Sequence, residues 1–224
     1  MTPSIEKPHA GENQLIMPRF WLIPLVVASA LFMENMDATV IATSLPAIAA
    51  DLGEDPVVLK LAFTAYLLSL AVFIPVSGWL ADRFGARRVF TTAIAVFTVA
   101  SVWCGSAGSL AELVAARALQ GAGGAMMVPV ARLIILRTVP KSQLVAAMAY
   151  LTVPALVGPL IGPPLGGFIT TFFDWRWIFW INVPVGIVGI MLAHLYVPDT
   201  RAERSPPLDA TGFALSGLAR WWRQ

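Results

Sequence analysis

Four stretches without a single Asp, Glu, Lys or Arg, at residues 61–81, 89–111, 142–173 and 177–198, restrict this chain more than any other feature. Each reaches the roughly 20 residues that an α-helix needs to cross a bilayer. In hydrocarbon a chain must satisfy its own backbone polar groups, which leaves helices and closed barrels as the available forms. The stretches are long and lack alternation at period two, so helices are expected. The competing arrangement buries several such helices on all sides of a small soluble protein. Composition argues against it: 58% of residues are hydrophobic and 12% charged, where a soluble domain carries about 25% charge. The expected fold class is all-α and membrane-spanning.

Six spans are expected, near 20–45, 60–81, 89–108, 111–136, 143–172 and 177–197. They form one bundle over 20–197, preceded by a polar arm over 1–19 and followed by a segment over 198–224. The arm and the length of the first apolar run argue against a cleaved signal peptide. Short loops carry chain breakers, such as Gly53-Glu54-Asp55-Pro56 and the stretch 105–109. Basic residues set the expected orientation. With the amino terminus inside, Lys7, Arg19, Arg83, Arg87, Arg88, Arg137, Lys141, Arg201 and Arg204 are cytoplasmic, against Lys60 and Arg176 outside. The aromatic run Trp175, Trp177, Phe179 and Trp180 then falls at the outer interface. The expected location is a cell inner membrane. Because the basic residues lie in loops between spans, the net charge of +2 does not point to nucleic acid. The single cysteine, Cys104, lies inside a span, which leaves no disulfide or metal framework. Residues 210–219 are again uncharged, but ten helical residues cover only about 15 Å, so they are expected to form an incomplete seventh span.

Several polar and small residues inside or between the spans need a reason of their own. The first span contains Glu34 and Asp37, three residues apart and so on one helix face. A low-dielectric neighbourhood disfavours two ionised carboxylates together, so at least one is expected to exchange protons near neutral pH. The fourth span contains Arg117 in Arg117-Ala118-Leu119-Gln120-Gly121, with Gly124 a turn beyond Gly121. An arginine inside a membrane costs several kcal/mol unless it is paired or wetted. Asp37 and Arg117 lie at similar depth by helix rise, so pairing is possible; small glycines are expected to leave space beside the guanidinium. Arg132 and His194 lie near the inner ends of their spans and are expected to snorkel.

The link between the second and third spans reads Gly78-Trp79-Leu80-Ala81-Asp82-Arg83-Phe84-Gly85-Ala86-Arg87-Arg88. Gly78 is expected to admit a neighbouring helix, Gly85 to allow a tight turn, and Asp82 to cap a helix or pair with a base. In the fifth span Gly158, Gly162 and Gly166 recur every four residues, offering a face without side chains. Pro154, Pro159, Pro163 and Pro164 lie among them and each removes a backbone donor.

These patterns carry a resemblance. The Gly78–Asp82–Gly85 spacing with Arg83, Arg87 and Arg88 resembles the loop motif of the major facilitator superfamily, although Ala86 stands where a basic residue is usual. The Arg117 stretch resembles that superfamily's fourth-helix arginine motif, which is implicated in proton coupling. Asp37-Ala38-Thr39-Val40 followed by Leu45-Pro46 resembles the first-helix signature of multidrug:proton antiporters, with the family acid on Asp37; Glu34 lies outside that signature. Gly162-Pro163-x-x-Gly166-Gly167 resembles the antiporter motif of exporters. The stretch from Trp175 to Gly186, with Asn182-Val183-Pro184, is similar to the fourteen-helix drug:proton antiporter branch.

The resemblance implies a 3+3 inverted repeat forming the amino-terminal half of a transporter, with a small-molecule substrate held near the midplane against a second bundle. That bundle is either missing from the chain or supplied by a homodimer. It implies a proton-coupled exporter of drugs or amphipathic solutes, driven by the proton gradient with no cofactor, and not an enzyme. A specific-solute exporter and an inactive remnant or subunit are the alternatives. The expected site residues are Asp37, Glu34 and Arg117 for proton coupling. Gly78, Asp82, Arg83, Gly85, Arg87 and Arg88 are expected to form a conformational switch, and Gly158, Gly162, Pro163, Gly166 and Gly167 the antiporter motif.

Overall fold

The apolar stretches become helix over most of their length in the computed structural model, which describes residues 19–200. In chain order the helices are α1 (Arg19–Leu52), α2 (Lys60–Phe84), α3 (Ala86–Ser106), α4 (Leu110–Thr138), α5 (Leu144–Phe172), the short α6 (Trp177–Trp180) and α7 (Asn182–Tyr196). Helices α6 and α7 follow one path as the sixth span, Trp177–Tyr196. All six spans are long and apolar enough to cross a membrane. The expected incomplete seventh helix, the arm up to residue 18, and Lys7, Arg201 and Arg204 lie outside the described residues.

Local sequence explains the boundaries. Ser109 caps α4 by accepting from the Glu112 amide at 3.3 Å, while Glu112 Oε2 accepts from the Gly108 amide at 2.9 Å. A carboxylate in the first turn also meets the positive end of the helix dipole. Prolines sit inside several helices, including Pro24, Pro46, Pro75 and Pro129. Each removes one donor, but lipid and neighbouring helices offer the backbone nothing better than the remaining ladder.

The two most extensive pairings are α1 along α5 and α2 along α4; α3 packs on α4, and α7 on both α3 and α1. Exchanging α1 with α4, α2 with α5 and α3 with α7 maps the first pairing onto the second, and α3–α4 onto α7–α1. This is the contact pattern of a 3+3 repeat. Only 22% of the α2 span and 17% of the α5 span is buried inside the bundle, against 61% for α1. Thus α1 is central, while α2 and α5 are flanks.

The interior is layered. One apolar cluster joins Val27, Leu31, Phe90, Phe97, Met127 and Ile134. A second, toward the opposite end, joins Val40, Ile48, Ala62, Leu113, Ile178 and Phe179. Between them lie the buried polar residues Glu34, Asp37, Ser101, Arg117, Gln120 and Asn182.

The structure corrects four expectations. Helix α1 does not stop at residue 45 but runs through Pro46 to Leu52. Burial of Ile48 and Ala49 outweighs the single lost backbone bond, and Asp51 ties the last turn to the Trp175 indole at 3.1 Å and to Arg176 at 2.9 Å. The stretch 78–88 is not a loop: α2 ends at Phe84 and α3 begins at Ala86, so Gly85 alone makes the turn, at φ 98°. A left-handed φ of this kind favours glycine. Gly78 admits no helix, because a Cβ there would have no atom within 4 Å. The aromatic run is not one belt: Trp177 and Trp180 are exposed, but Trp175 and Phe179 point into the second apolar cluster. Arg132 and His194 are exposed.

Candidate functional site

Asp37 from the middle of α1 meets Arg117 from the second turn of α4, with Arg117 Nη1 donating to Asp37 Oδ2 at 2.5 Å. Both side chains are essentially inaccessible, at 1% and 0%. Because α1 is longer than expected, it projects beyond the start of α4, yet the two charges still lie level. The pair is embedded in a network from four spans. Gln120 Nε2 donates to Asp37 Oδ1 at 3.0 Å and to Ser101 Oγ at 2.6 Å. Asn182 Nδ2 donates to Asp37 Oδ1 at 2.7 Å and to Ser101 Oγ at 3.2 Å. Arg117 Nη1 also donates to Gln120 Oε1 at 2.6 Å. Its guanidinium carbon stands 4.2 Å from the centre of the Tyr66 ring, a cation–π contact that partly replaces the lost water.

Asp37 therefore accepts three hydrogen bonds, one of them from a cation. Charge-assisted bonds of this sort are the strong ones, and they matter most where water is excluded. Chemically, the arrangement makes protonation of Asp37 and its pairing with Arg117 compete, since a neutral carboxyl no longer balances the guanidinium. Arg117 Nε and Nη2 have no hydrogen-bond partner. The charge thus depends on Asp37, Gln120 and two aromatic rings, the second being Phe179 at 5.8 Å.

Glu34, one turn from Asp37, is buried but is not part of this network, and its Oε2 has no partner. Gly121 and Gly124 do not make room for the guanidinium. A Cβ on Gly121 would collide with the Tyr66 carbonyl and with Ser69, and one on Gly124 would touch the Tyr66 hydroxyl and Glu34. They admit α2 to α4 instead.

Sequence reasoning missed Ser101 and the roles of Gln120 and Asn182. Ser101 gave no signal, being one small polar residue in a charge-free run. Asn182 gave one: an amide after the aromatic run that membrane anchoring does not explain. Asn182→Ala removes a donor from a buried carboxylate, which is expected to destabilise the bundle by about 1–3 kcal/mol. A lowered melting temperature in detergent would register this; an unchanged one would mean that the amide adds nothing.

The residues of the 78–88 stretch gather at the opposite end from Asp51. Asp82, in the last turn of α2, accepts from Arg137 Nη2 of α4 at 2.5 Å. Arg87 Nη1 donates to the Val197 carbonyl at 3.5 Å, Arg88 pairs with Asp199 at 3.4 Å, and the Ala86 amide donates to the Thr200 carbonyl at 3.0 Å. Arg83 instead stacks near Trp79 and Phe84. Asp82 is therefore an interhelical partner and not a helix cap. Along α5, Gly158, Gly162 and Gly166 lie against α1: Cβ atoms there would meet Met36 and Phe32 backbone, Thr39, and Val40 with Thr43. Gly167 faces open space. The Pro163 carbonyl accepts from Thr43 Oγ1 at 3.4 Å.

Known proteins resemble this chain. The sequence profile of the Major Facilitator Superfamily matches residues 27–223. MdtD of Escherichia coli O9:H4 (strain HS), provisionally named a multidrug resistance protein, is 47% identical over 190 residues, covering 85% of this chain and 40% of MdtD. MdtD of Shigella sonnei (strain Ss046) gives the same identity and coverage. The chain thus spans about 40% of the length of these curated relatives. Among solved structures, the proton:xylose symporter XylE bound to 6-bromo-6-deoxy-D-glucose superposes with a TM-score of 0.71 at 17% identity, covering 80% of this chain and 45% of XylE. A bacterial homologue of the human lysosomal transporter Spinster, inward-facing and unoccupied, gives 0.65 at 20% identity, covering 89% and 48%. At such identities the solved structures speak to the fold alone.

Proposed function

Because this chain belongs to the Major Facilitator Superfamily, we propose that its six helices serve as the amino-terminal bundle of a proton-coupled exporter of drugs or other small amphipathic solutes. The buried Asp37–Arg117 pair carries this reading. An ion pair in the middle of a membrane bundle is too costly to be mere packing, and intramembrane ionisable groups mark ion or substrate pathways. A proton that reaches Asp37 releases Arg117, and a bundle state that favours the proton then disfavours the substrate. Differential affinity of this kind couples two fluxes without any covalent step. Direction is supported by the glycine face of α5 against α1 and by the name that MdtD carries.

The bundle is proposed to sit in the cell inner membrane with its amino terminus and the Asp82–Arg137 end in the cytoplasm, following the excess of basic residues there. A second bundle, or a second copy of this one, would complete the substrate cavity along the little-buried flanks of α2 and α5. In energised inverted vesicles, adding a lipophilic dye should dissipate the proton gradient. Dye movement with the gradient intact would overturn proton coupling.

The Asp82–Arg137 pair is proposed to latch α2 to α4 during the cycle, with Arg83, Gly85, Arg87 and Arg88 holding the neighbouring ends. The pair is partly exposed, at 34% and 24%, so its loss should change stability by no more than about 1 kcal/mol. Asp82→Asn is therefore expected to slow efflux while leaving the melting temperature nearly unchanged. An unaltered efflux rate would remove the pair from the mechanism.

A further inference from the structure

Glu34 is buried to 8% exposure inside the bundle, and its Oε2 has no hydrogen-bond partner. It lies toward α2 and α4 beside Gly124. A Cβ on Gly124 would stand 3.5 Å from Glu34 Cγ and 3.3 Å from the Tyr66 hydroxyl, so the Glu34 side chain and the Tyr66 phenol both border the space this glycine leaves. The Tyr66 hydroxyl is likewise buried and without a partner. The titratable group acting on Glu34 from its own helix is Asp37, and beyond Asp37 and Tyr66 lie Arg117 on α4 and Cys104 on α3, both of which face the Asp37 network. Arg117 already gives its hydrogen bonds to Asp37 and Gln120, and Cys104 donates to Gln120 at 3.6 Å. Nothing on the described residues therefore donates to Glu34 Oε2. An ionised carboxylate left in such a place carries its full desolvation penalty, whereas a protonated one does not.

We propose that Glu34 is a second proton site, occupied in this conformation while Asp37 stays ionised within its donors. The two acids share one helix face but stand in opposite states, because Asp37 accepts three hydrogen bonds and Glu34 Oε2 accepts none. The existence of this site is independent of the export reading; its use rests on that reading. If both acids discharge in each cycle, the exporter exchanges one proton more than Asp37 alone would supply.

Infrared spectroscopy of the full chain in lipid at neutral pH tests the site directly. The carbonyl stretch of a protonated carboxyl should be present in the wild type, persist in Asp37→Asn, and vanish in Glu34→Gln. A displaced band should appear in Glu34→Asp, which also keeps the test open if the glutamine variant does not fold. No band in the wild type, a band that survives Glu34→Gln, or one unmoved in Glu34→Asp would overturn the proposal. These spectra do not depend on transport. An Asp37→Asn variant that still couples efflux to protons would end the export mechanism while leaving the Glu34 band in place.

Discussion

Replacing Asp37 by Asn is expected to abolish proton-driven efflux and to destabilise the bundle at the same time. The side chain is the only carboxylate bonded to Arg117 among the described residues. Asparagine cannot balance the guanidinium, and removing one partner of a buried pair costs about 3–5 kcal/mol. Dye efflux from loaded cells would measure the first effect and melting in detergent the second. One control separates them. Asp37→Leu combined with Arg117→Met removes both charges, which is often nearly neutral for stability, and it should recover much of the melting temperature and none of the coupling. Unchanged dye efflux in Asp37→Asn, with the protein present in the membrane, would end the assignment of Asp37 as the coupling acid.

The adjacent glycines of the α5 motif should respond in opposite directions. A Cβ on Gly166 would lie 2.7 Å from the Val40 carbonyl and closer still to the Thr43 hydroxyl, so α1 must give way. Overpacking of this kind costs about 1–3 kcal/mol, and because it separates the central helix from its flank, efflux should fall with it. Gly167 has nothing within 4 Å. Alanine there meets no neighbour and raises helix propensity by up to about 1 kcal/mol. Melting temperatures of Gly166→Ala and Gly167→Ala, measured side by side, check this. Equal losses would mean that the motif acts through backbone flexibility and not through helix approach.

The six spans were legible because hydrocarbon leaves a chain few options, and the runs without charge announce it. Their ends were less so. Pro46 reads as a stop, yet α1 continues because Ile48, Ala49 and Asp51 find partners on elements far away in sequence. The 78–88 stretch reads as a loop because it is charged, but charge at a helix end marks the membrane surface as much as a turn. Of the polar centre, Asp37, Glu34 and Arg117 stood out as costly residues in spans. What could not be read was the distinction between the two acids. It depends on which donors arrive from α3, α4 and α7, and Ser101 in particular looks like any small residue that a helix interface tolerates. The glycines illustrate the same limit: Gly121, Gly166, Gly78 and Gly167 look alike in sequence, and only the first two have another helix against them.

The single-residue turn at Gly85 also has a mechanical meaning. One residue has two soft torsions, and here one of them is already held at a φ of 98°. A joint so short cannot store slack as a loop can. Any tilt of α2 at its Asp82 end must either be taken up by the φ and ψ of Gly85 or be passed whole to α3. Because the first amide of α3 is bonded to the Thr200 carbonyl, the motion would travel on to the chain beyond α7. The latch and the segment after α7, whose Thr200 carbonyl also accepts from Arg137 at 3.4 Å, are thus geared together, with one glycine as the pivot.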